Sequence, residues 1–370
     1  MEQKMKFKAV YAFHPGITLR EKLEEMRMSV KEFAVRTSKP EKTINAVLMG
    51  DSSLTPDMAV AFEQITLIPA HMWLNLQRNY DEYLARRKRE SILEDEVTIS
   101  WAKCFPYSMM AKLGWVPATR NVSEKAENLL AFFRITTVSA WENLFLNQAL
   151  KSEFRLSLSS TKDPHSISAW LRQGEILAEN IKTKNAYSDE LLKKSIPQML
   201  NLVRSQPDDF ALQLSELCSE AGVKLIYISH ISHAPVNGCA RWIDNSPCIQ
   251  MTDRQKRNDI FWFSFFHEIG HILLHGKKDV FLEDKEYLDL QKEKEKEADG
   301  FASYVLLNKT MEEHLIVDVY GKQMTADLMI CLARKYQTHP AIIIGRLQHL
   351  GYLPQNSGLN NLKVAVCFNH

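Results

Sequence analysis

The chain has 370 residues, which allows two or three domains. Its 46 basic and 45 acidic residues leave a net charge of +1, so no overall attraction to polyanions is expected. The sequence has no run of 18 apolar residues and its first residues lack the apolar core of a signal peptide, which predicts a cytoplasmic protein without membrane contact. The six cysteines form no C-x-x-C pair and are expected to be reduced thiols.

Residues 17–84 predict a compact set of five short helices. Ser29 followed by Glu32 is a capping box at the start of the second helix. Thr55-Pro56 begins the fourth helix, and Pro69 separates it from the fifth.

The second and third of these helices are short and joined by a tight connection, which is typical of a helix-turn-helix. We expect the third helix to contact operator DNA through the polar residues Lys39, Lys42, Thr43 and Asn45. The alternative is a helical protein-binding module. Residues 1–90 hold 15 basic and 12 acidic residues, and 15 − 12 = +3 is compatible with DNA binding without being diagnostic.

The rest of the chain predicts a helical middle region and then a small sheet. Residues 90–195 are mainly helical by pattern and contain enough aromatic side chains for a packed core. A helix is expected near 208–221, with strands at 223–228, 240–243 and 247–251 and a turn at Asp244-Asn245-Ser246. The predicted fold class is therefore mainly α with a small β-sheet.

The segment Phe266-His267-Glu268-Ile269-Gly270-His271 carries the strongest chemical signal in the sequence. Histidines four residues apart share one face of a helix, so both imidazoles can reach one ion. This H-E-x-x-H pattern is typical of zinc metalloproteases, in which the histidines bind zinc and the glutamate takes a proton from water. The apolar neighbours predict a buried helix, which disfavours the alternative of a chance match.

A third ligand is expected from the acidic helix after this motif. A register with Glu295 as ligand and Asp299 behind a ligand histidine leaves the small residue Ala298 between them for close helix packing. Glu297 is the alternative ligand, and a solvated Glu/Lys face is the alternative for the whole segment. His275 is expected to lie behind the ligands or at the surface.

Two histidines and one glutamate leave zinc an open position for water, which indicates a catalytic site. Glu268 is the predicted general base. His339 is a candidate for stabilising the oxyanion, and a structural histidine before Pro340 is the alternative interpretation.

The first part of the chain resembles the HigA-type antitoxins of the Cro/C1 helix-turn-helix class. The resemblance covers about residues 10–85 and lies in a His-Pro-Gly lead and a Trp-Leu-x-Leu-Gln tail. The matching stretches are His14-Pro15-Gly16 and Trp73-Leu74-Asn75-Leu76-Gln77-x-Asn79-Tyr80. This resemblance implies a DNA-binding protein that represses its own operon, with a toxin as the expected partner.

The remainder resembles the ImmA/IrrE family of metallopeptidases. The matching stretches are Gly238-x-Ala240-Arg241-Trp242, Phe261-Trp262-Phe263-x-Phe265-Phe266-His267-Glu268-x-Gly270-His271, Glu295-x-Glu297-Ala298-Asp299-x-Phe301-Ala302 and His339-Pro340-x-Ile342-Ile343-Ile344-Gly345-Arg346-Leu347-Gln348. We therefore expect a helix-turn-helix domain at 1–88, a helical connection at 89–197, a zincin-like metallopeptidase domain at 198–355 and a tail at 356–370.

The predicted function is that of a DNA-binding regulator or antitoxin with a zinc endopeptidase domain. The peptidase is expected to cleave a protein partner, namely a repressor, a toxin or the chain itself, to control its operon under stress or phage attack. The expected partners are operator DNA, a toxin or protein substrate, and a second copy in a homodimer. The alternative is an antitoxin of a toxin–antitoxin module whose zinc domain is a non-catalytic scaffold or sensor.

Overall fold

The structure is a computed structural model that describes residues 12–148, 163–243, 245–276 and 285–366, the side chains of 285–291 excepted. Asp244 of the predicted turn and Cys367, one of the six cysteines, lie outside these residues. The chain divides into two compact units, Met1–Glu96 and Val97–His370. The predicted fold class is confirmed, because the described residues are mainly helical with one three-stranded sheet.

The first unit contains the five predicted helices. Their bounds are α1 Pro15–Glu25, α2 Val30–Arg36, α3 Glu41–Met49, α4 Pro56–Thr66 and α5 Ala70–Leu93. Ser29 caps α2 by accepting a hydrogen bond from the Glu32 backbone N–H at 3.2 Å, as the capping box predicts. The other half of the box does not form, because the Glu32 carboxylate pairs with Arg36 at 2.7 Å.

The two ends of the HigA-like segment, His14-Pro15-Gly16 and Trp73–Tyr80, contact each other. The His14 ring packs edge-on against the Tyr80 ring, with centroids 4.9 Å apart, and its Nδ1 accepts from the Gly16 backbone N–H. A Cβ on Gly16 would lie 2.0 Å from the Val47 carbonyl oxygen, so only glycine allows α1 and α3 to approach this closely. The packing of helices in the first unit therefore depends on the segment His14-Pro15-Gly16.

The second unit begins with helices and continues through a sheet to a further set of helices. Its earlier helices are α6 Glu96–Lys103, α7 Tyr107–Lys112, α8 Val122–Phe133, α9 Val138–Trp141, a π-helix Glu142–Gln148, α10 Pro164–Asn180, α11 Asp189–Ser205 and α12 Phe210–Glu220. Its later helices are α13 Asn258–His275, α14 Lys285–Leu306, α15 Lys309–Val319, α16 Ala326–Lys335, α17 Pro340–His349 and a 3-10 turn Gly358–Leu362. Within the described ranges, no helix is both long enough and apolar enough to span a membrane.

The sheet lies between these two sets of helices in the sequence. Its strands are β1 Lys224–Ile228, β2 Gly238–Ile243 and β3 Ser246–Thr252, in the order β1-β3-β2. β3 is central, parallel to β1 and antiparallel to β2. Asn245, in the turn between β2 and β3, has φ +66°, a left-handed conformation that asparagine tolerates.

One face of the sheet packs against α10 through buried polar side chains. Each strand contributes one donor to a backbone carbonyl of α10: Lys224 to Ala178 at 3.0 Å, Arg241 to Leu171 at 2.7 Å and Gln250 to Trp170 at 2.7 Å. Arg241 also forms a 2.8 Å ion pair with Glu175. Polar side chains are costly to bury unless they form hydrogen bonds. These three bonds therefore fix α10 in one position on the sheet.

The other face of the sheet packs against α13. Successive strand residues point to opposite faces, so Ile249 and Met251 of β3 enter this core while Gln250 points to α10. The core of this layer includes four aromatic residues of α13, namely Phe261, Trp262, Phe265 and Phe266. Their burial sets the rotation of α13 about its own axis.

Candidate metal centre

α13 and α14 pack at a contact that admits only small residues. A Cβ on Gly270 would lie 3.2 Å from the Cα of Ala298 and 3.2 Å from the side chain of Phe301. Ala298 itself is fully buried. The two helix backbones therefore lie close together, and residues one turn before and after Ala298 come within reach of α13.

Three side chains converge at this contact. The Nε2 atoms of His267 and His271 lie 2.9 Å apart. One Glu295 oxygen lies 3.3 Å from the His267 Nε2, and the other lies 3.3 Å from the His271 Nε2. Their candidate ligand atoms all lie within 4.8 Å of one another. Two imidazole nitrogens and a carboxylate aimed at one point are a donor set suited to zinc.

Asp299 and Glu297, the two other acidic residues considered in this segment, each contact a different histidine of α13. Asp299 accepts a hydrogen bond from the His267 Nδ1 at 2.8 Å, which leaves the Nε2 of that ring for an ion. Glu297, the alternative ligand, lies outside the three-residue cluster, and its carboxylate pairs with His275 at 2.9 Å.

The charges of the cluster favour a bound cation. Burial lowers the pKa of His267, but hydrogen bonds to Asp299 and Glu295 outweigh this effect and raise the pKa to about 10. Burial raises the pKa of Glu295, and the hydrogen bonds from His267 and His271 reverse this and lower the pKa to about 2. Without a metal, the cluster therefore takes up a proton in place of a cation.

A cavity of about 640 Å³ opens beside the cluster. His267, Glu268 and Asp299 line it on the metal side. Glu268 is buried, and a Cβ on Gly238 would lie 3.1 Å from one of its carboxylate oxygens, so its carboxyl group lies against the start of β2. The predicted base Glu268, the candidate ligand His267 and the first residue of an edge strand thus line one cavity.

His339 lies at the N-cap of α17. Its Nδ1 accepts from the Ala341 backbone N–H at 3.1 Å and lies 3.3 Å from the Asn258 side-chain nitrogen. Burial lowers its pKa. The residues that line the cavity do not include His339, so the structure gives it a helix-capping contact and does not bring it to the cluster.

Arg346 and Ser303 also line the cavity, although the sequence motifs described above do not include them as site residues. The Arg346 guanidinium bonds to the Glu312 carboxylate and lies 3.5 Å from the Ser303 hydroxyl. A signal for Arg346 was present, because it is the single charged residue in an otherwise apolar stretch seven residues after His339.

The predicted DNA-contacting residues lie at the start of α3 and in the turn before it. Lys42 and Asn45 are exposed, while Lys39 and Thr43 are half-buried. The connection between α2 and α3 is four residues long, as a helix-turn-helix requires.

Comparison with known proteins identifies both parts of the chain. Residues 218–336 match the family Peptidase_M78, described as the IrrE N-terminal-like domain. The N-terminal part is 36% identical over 63 residues to the uncharacterized HTH-type transcriptional regulator YddM of Escherichia coli K12, covering 17% of this chain and 67% of that protein. The chain therefore belongs to the HTH-type transcriptional regulators, and its C-terminal part carries an IrrE N-terminal-like peptidase domain.

A solved structure of a HigA-family protein is also similar to part of the chain. The chain is 33% identical to the solved structure of an addiction module antidote protein of a HigA family from Coxiella burnetii, covering 23% of this chain and 92% of that one, with a TM-score of 0.21. A metallopeptidase domain implies a metal, and His267, His271 and Glu295 are the group among the described residues that could hold one.

Replacing Gly270 with alanine is expected to weaken metal binding. The added methyl group strains the contact with Ala298 by about 1–3 kcal/mol, and moving α14 away to relieve it separates Glu295 from the histidines. Chelator competition with Zn²⁺ should show about a tenfold loss of affinity. Gly300→Ala on α14 is the control, because no atom lies within 4 Å of a Cβ there. Equal affinity of both variants and the wild type would contradict the prediction.

Metal binding is expected to release a proton. With a pKa of about 10, His267 is protonated in the metal-free protein at pH 7–8, and an ion binds only the unprotonated nitrogen. Zn²⁺ titration with a pH indicator should show about one proton released per ion, and affinity should rise with pH over this range. Asp299→Asn removes the largest stabilising contact of the protonated ring, so it should release less. Stoichiometric binding without proton release would refute this.

Proposed function

We propose that this protein is a DNA-binding transcriptional regulator of the antitoxin type whose C-terminal domain is a zinc-dependent endopeptidase. The observation that carries the proposal is the convergence of His267, His271 and Glu295 beside the buried carboxylate of Glu268. A set of three protein ligands leaves one position open, which separates catalytic zinc sites from structural ones. The substrate is a protein: a repressor, a toxin or the chain itself.

His267, His271 and Glu295 hold the ion, and Asp299 orients the His267 ring. When bound, zinc lowers the pKa of a water ligand and polarises the scissile carbonyl group. Glu268 removes a proton from the attacking water and passes it to the leaving amine. Arg346, on the cavity wall, provides a positive charge for substrate carbonyl or carboxylate oxygens.

The position of β2 supports an extended polypeptide as substrate. β2 is an edge strand of the sheet, and its first residue Gly238 lies next to Glu268. A peptide that adds to such an edge by backbone hydrogen bonds is held extended, with its scissile bond beside the base. The cavity of about 640 Å³ gives room for side chains of that peptide.

The helix-turn-helix supports operator binding through Lys42 and Asn45 of α3, with Lys39 and Thr43 beside them. Proteins with this motif read two half-sites as dimers, so we propose a homodimer on a palindromic operator. A toxin encoded beside the gene is the proposed partner.

Glu268→Gln should retain zinc and lose cleavage. The amide keeps the shape of the carboxylate but accepts no proton, so cleavage should fall about 100-fold or more. We would incubate each protein with cell lysate and compare new protein N-termini by mass spectrometry. Glu293→Gln is the matched control, since Glu293 is an exposed residue of α14 outside the cluster. A wild type that holds zinc yet produces no new N-termini would favour the alternative of a scaffold or sensor.

Replacing Lys42 and Asn45 with alanine should weaken binding of the whole chain to its own promoter. Each lost base contact costs about 1–3 kcal/mol, so affinity should fall about tenfold or more, as measured by fluorescence anisotropy. Lys182→Ala, an exposed lysine of the second unit, controls for loss of charge. Should the wild type fail to prefer promoter over random DNA, the N-terminal unit would be a protein-interaction module.

A further inference from the structure

A second hydrogen-bonded group lies directly behind the candidate ligand His271. The Nδ1 of His271 lies 3.1 Å from the Nδ1 of His275. The Nε2 of His275 lies 2.9 Å from a Glu297 carboxylate oxygen. His275 is the last residue of α13 and its side chain is 4% exposed, whereas that of Glu297 is 57% exposed. The three residues therefore form a line that runs from the cluster to the surface.

We propose that His275 and Glu297 are positioning residues, which together hold His271 in the orientation and tautomer that bind the metal. The proposal rests on the zinc centre proposed above. It names two residues outside the ligand set, and one of them, Glu297, was the rival candidate for the third ligand.

The chemistry of the three side chains fixes every proton in this line. A metal on the Nε2 of His271 leaves the hydrogen on its Nδ1, so His271 donates to the His275 Nδ1. His275 accepts there and so carries its own hydrogen on Nε2, which it donates to Glu297. A carboxylate only accepts, so Glu297 ends the line without conflict.

The two ligand histidines are thus supported in different ways. His267 donates directly to the Asp299 carboxylate at 2.8 Å. The Nδ1 of His271 is linked to the Glu297 carboxylate through a second imidazole, that of His275. Since a carboxylate partner makes a ligand imidazole more basic and fixes its ring, removing either member of the line should weaken the His271–metal bond.

Burial supports this role over a surface ion pair. An imidazole with 4% exposure needs partners for both nitrogens, and His271 and Glu297 each lie at hydrogen-bond distance from one of them. A pair formed only to join α13 and α14 would stabilise the metal-free fold and leave the metal unaffected. These two roles are separable by measurement.

The test compares His275→Phe, Glu297→Ala and Glu297→Gln with Glu293→Gln as the matched control. In full-length protein we would measure Zn²⁺ affinity by chelator competition, the visible absorption bands of bound Co²⁺, and the melting temperature without metal. Glu297 is exposed, so its variants keep the fold even where His275→Phe does not.

We expect Zn²⁺ affinity to fall about 10–100-fold in His275→Phe and Glu297→Ala. Glu297→Gln should lie between these and the wild type, because its amide oxygen still accepts a hydrogen bond but carries no charge. The Co²⁺ bands should shift in the same order, while the control and the metal-free melting temperatures of the two Glu297 variants stay unchanged.

Unchanged Zn²⁺ affinity and Co²⁺ bands in Glu297→Ala would overturn the inference and leave the zinc centre standing. A fall in the metal-free melting temperature with unaltered Co²⁺ bands would also overturn it, in favour of a purely structural pair. A wild type that binds neither Zn²⁺ nor Co²⁺ would overturn the zinc centre and, with it, the role of His275 and Glu297.

Discussion

The close approach of α13 and α14 at Gly270 and Ala298 is the constraint on which the candidate site depends. A side chain larger than a hydrogen at Gly270 would contact the backbone at Ala298 and the ring of Phe301. With the helices this near, Glu295 reaches both histidines and Asp299 reaches His267 from behind. The site is therefore built from helix packing, and the aromatic core on the far side of α13 holds that packing in place.

Electrostatics add a second constraint to this packing. Glu295 and Asp299 both bond to His267, and Glu268 lies close enough to raise its pKa further. Several carboxylates placed this close together are costly unless a positive group balances them, and Glu268 is also buried. A protonated imidazole balances these carboxylates in the metal-free protein, and a divalent cation would supply two positive charges at the same point.

The local parts of this arrangement were predictable from the sequence. His267 and His271 share a face because an α-helix repeats every 3.6 residues, and that spacing is visible in the sequence itself. The five N-terminal helices and the three strands were also predictable, since Ser29, Thr55, Pro69 and the strand pattern mark their limits.

The non-local parts were not predictable to the same degree. The choice between Glu295 and Glu297 depends on which face of α14 meets Gly270, and the sequence gives that face only through the small residue Ala298. His339 looked like a functional histidine because it sits in a matching segment, but only the structure shows it at the cap of α17. Arg346 stands out in the sequence as a lone charge in an apolar stretch, but its contacts with α14 and α15 are visible only in the structure.

The three hydrogen bonds from the sheet to α10 determine how small an independently folding piece of this protein can be. Lys224, Arg241 and Gln250 each donate a hydrogen bond to a carbonyl of a helix that precedes the peptidase match by about forty residues. A fragment cut to residues 218–336 would lack α10. The face of the sheet that packs on α10 would then be exposed, and its three polar side chains would lose their carbonyl acceptors. The packed structure around the sheet thus extends beyond the region that sequence similarity marks, with α10 on one face of the sheet and α13 on the other.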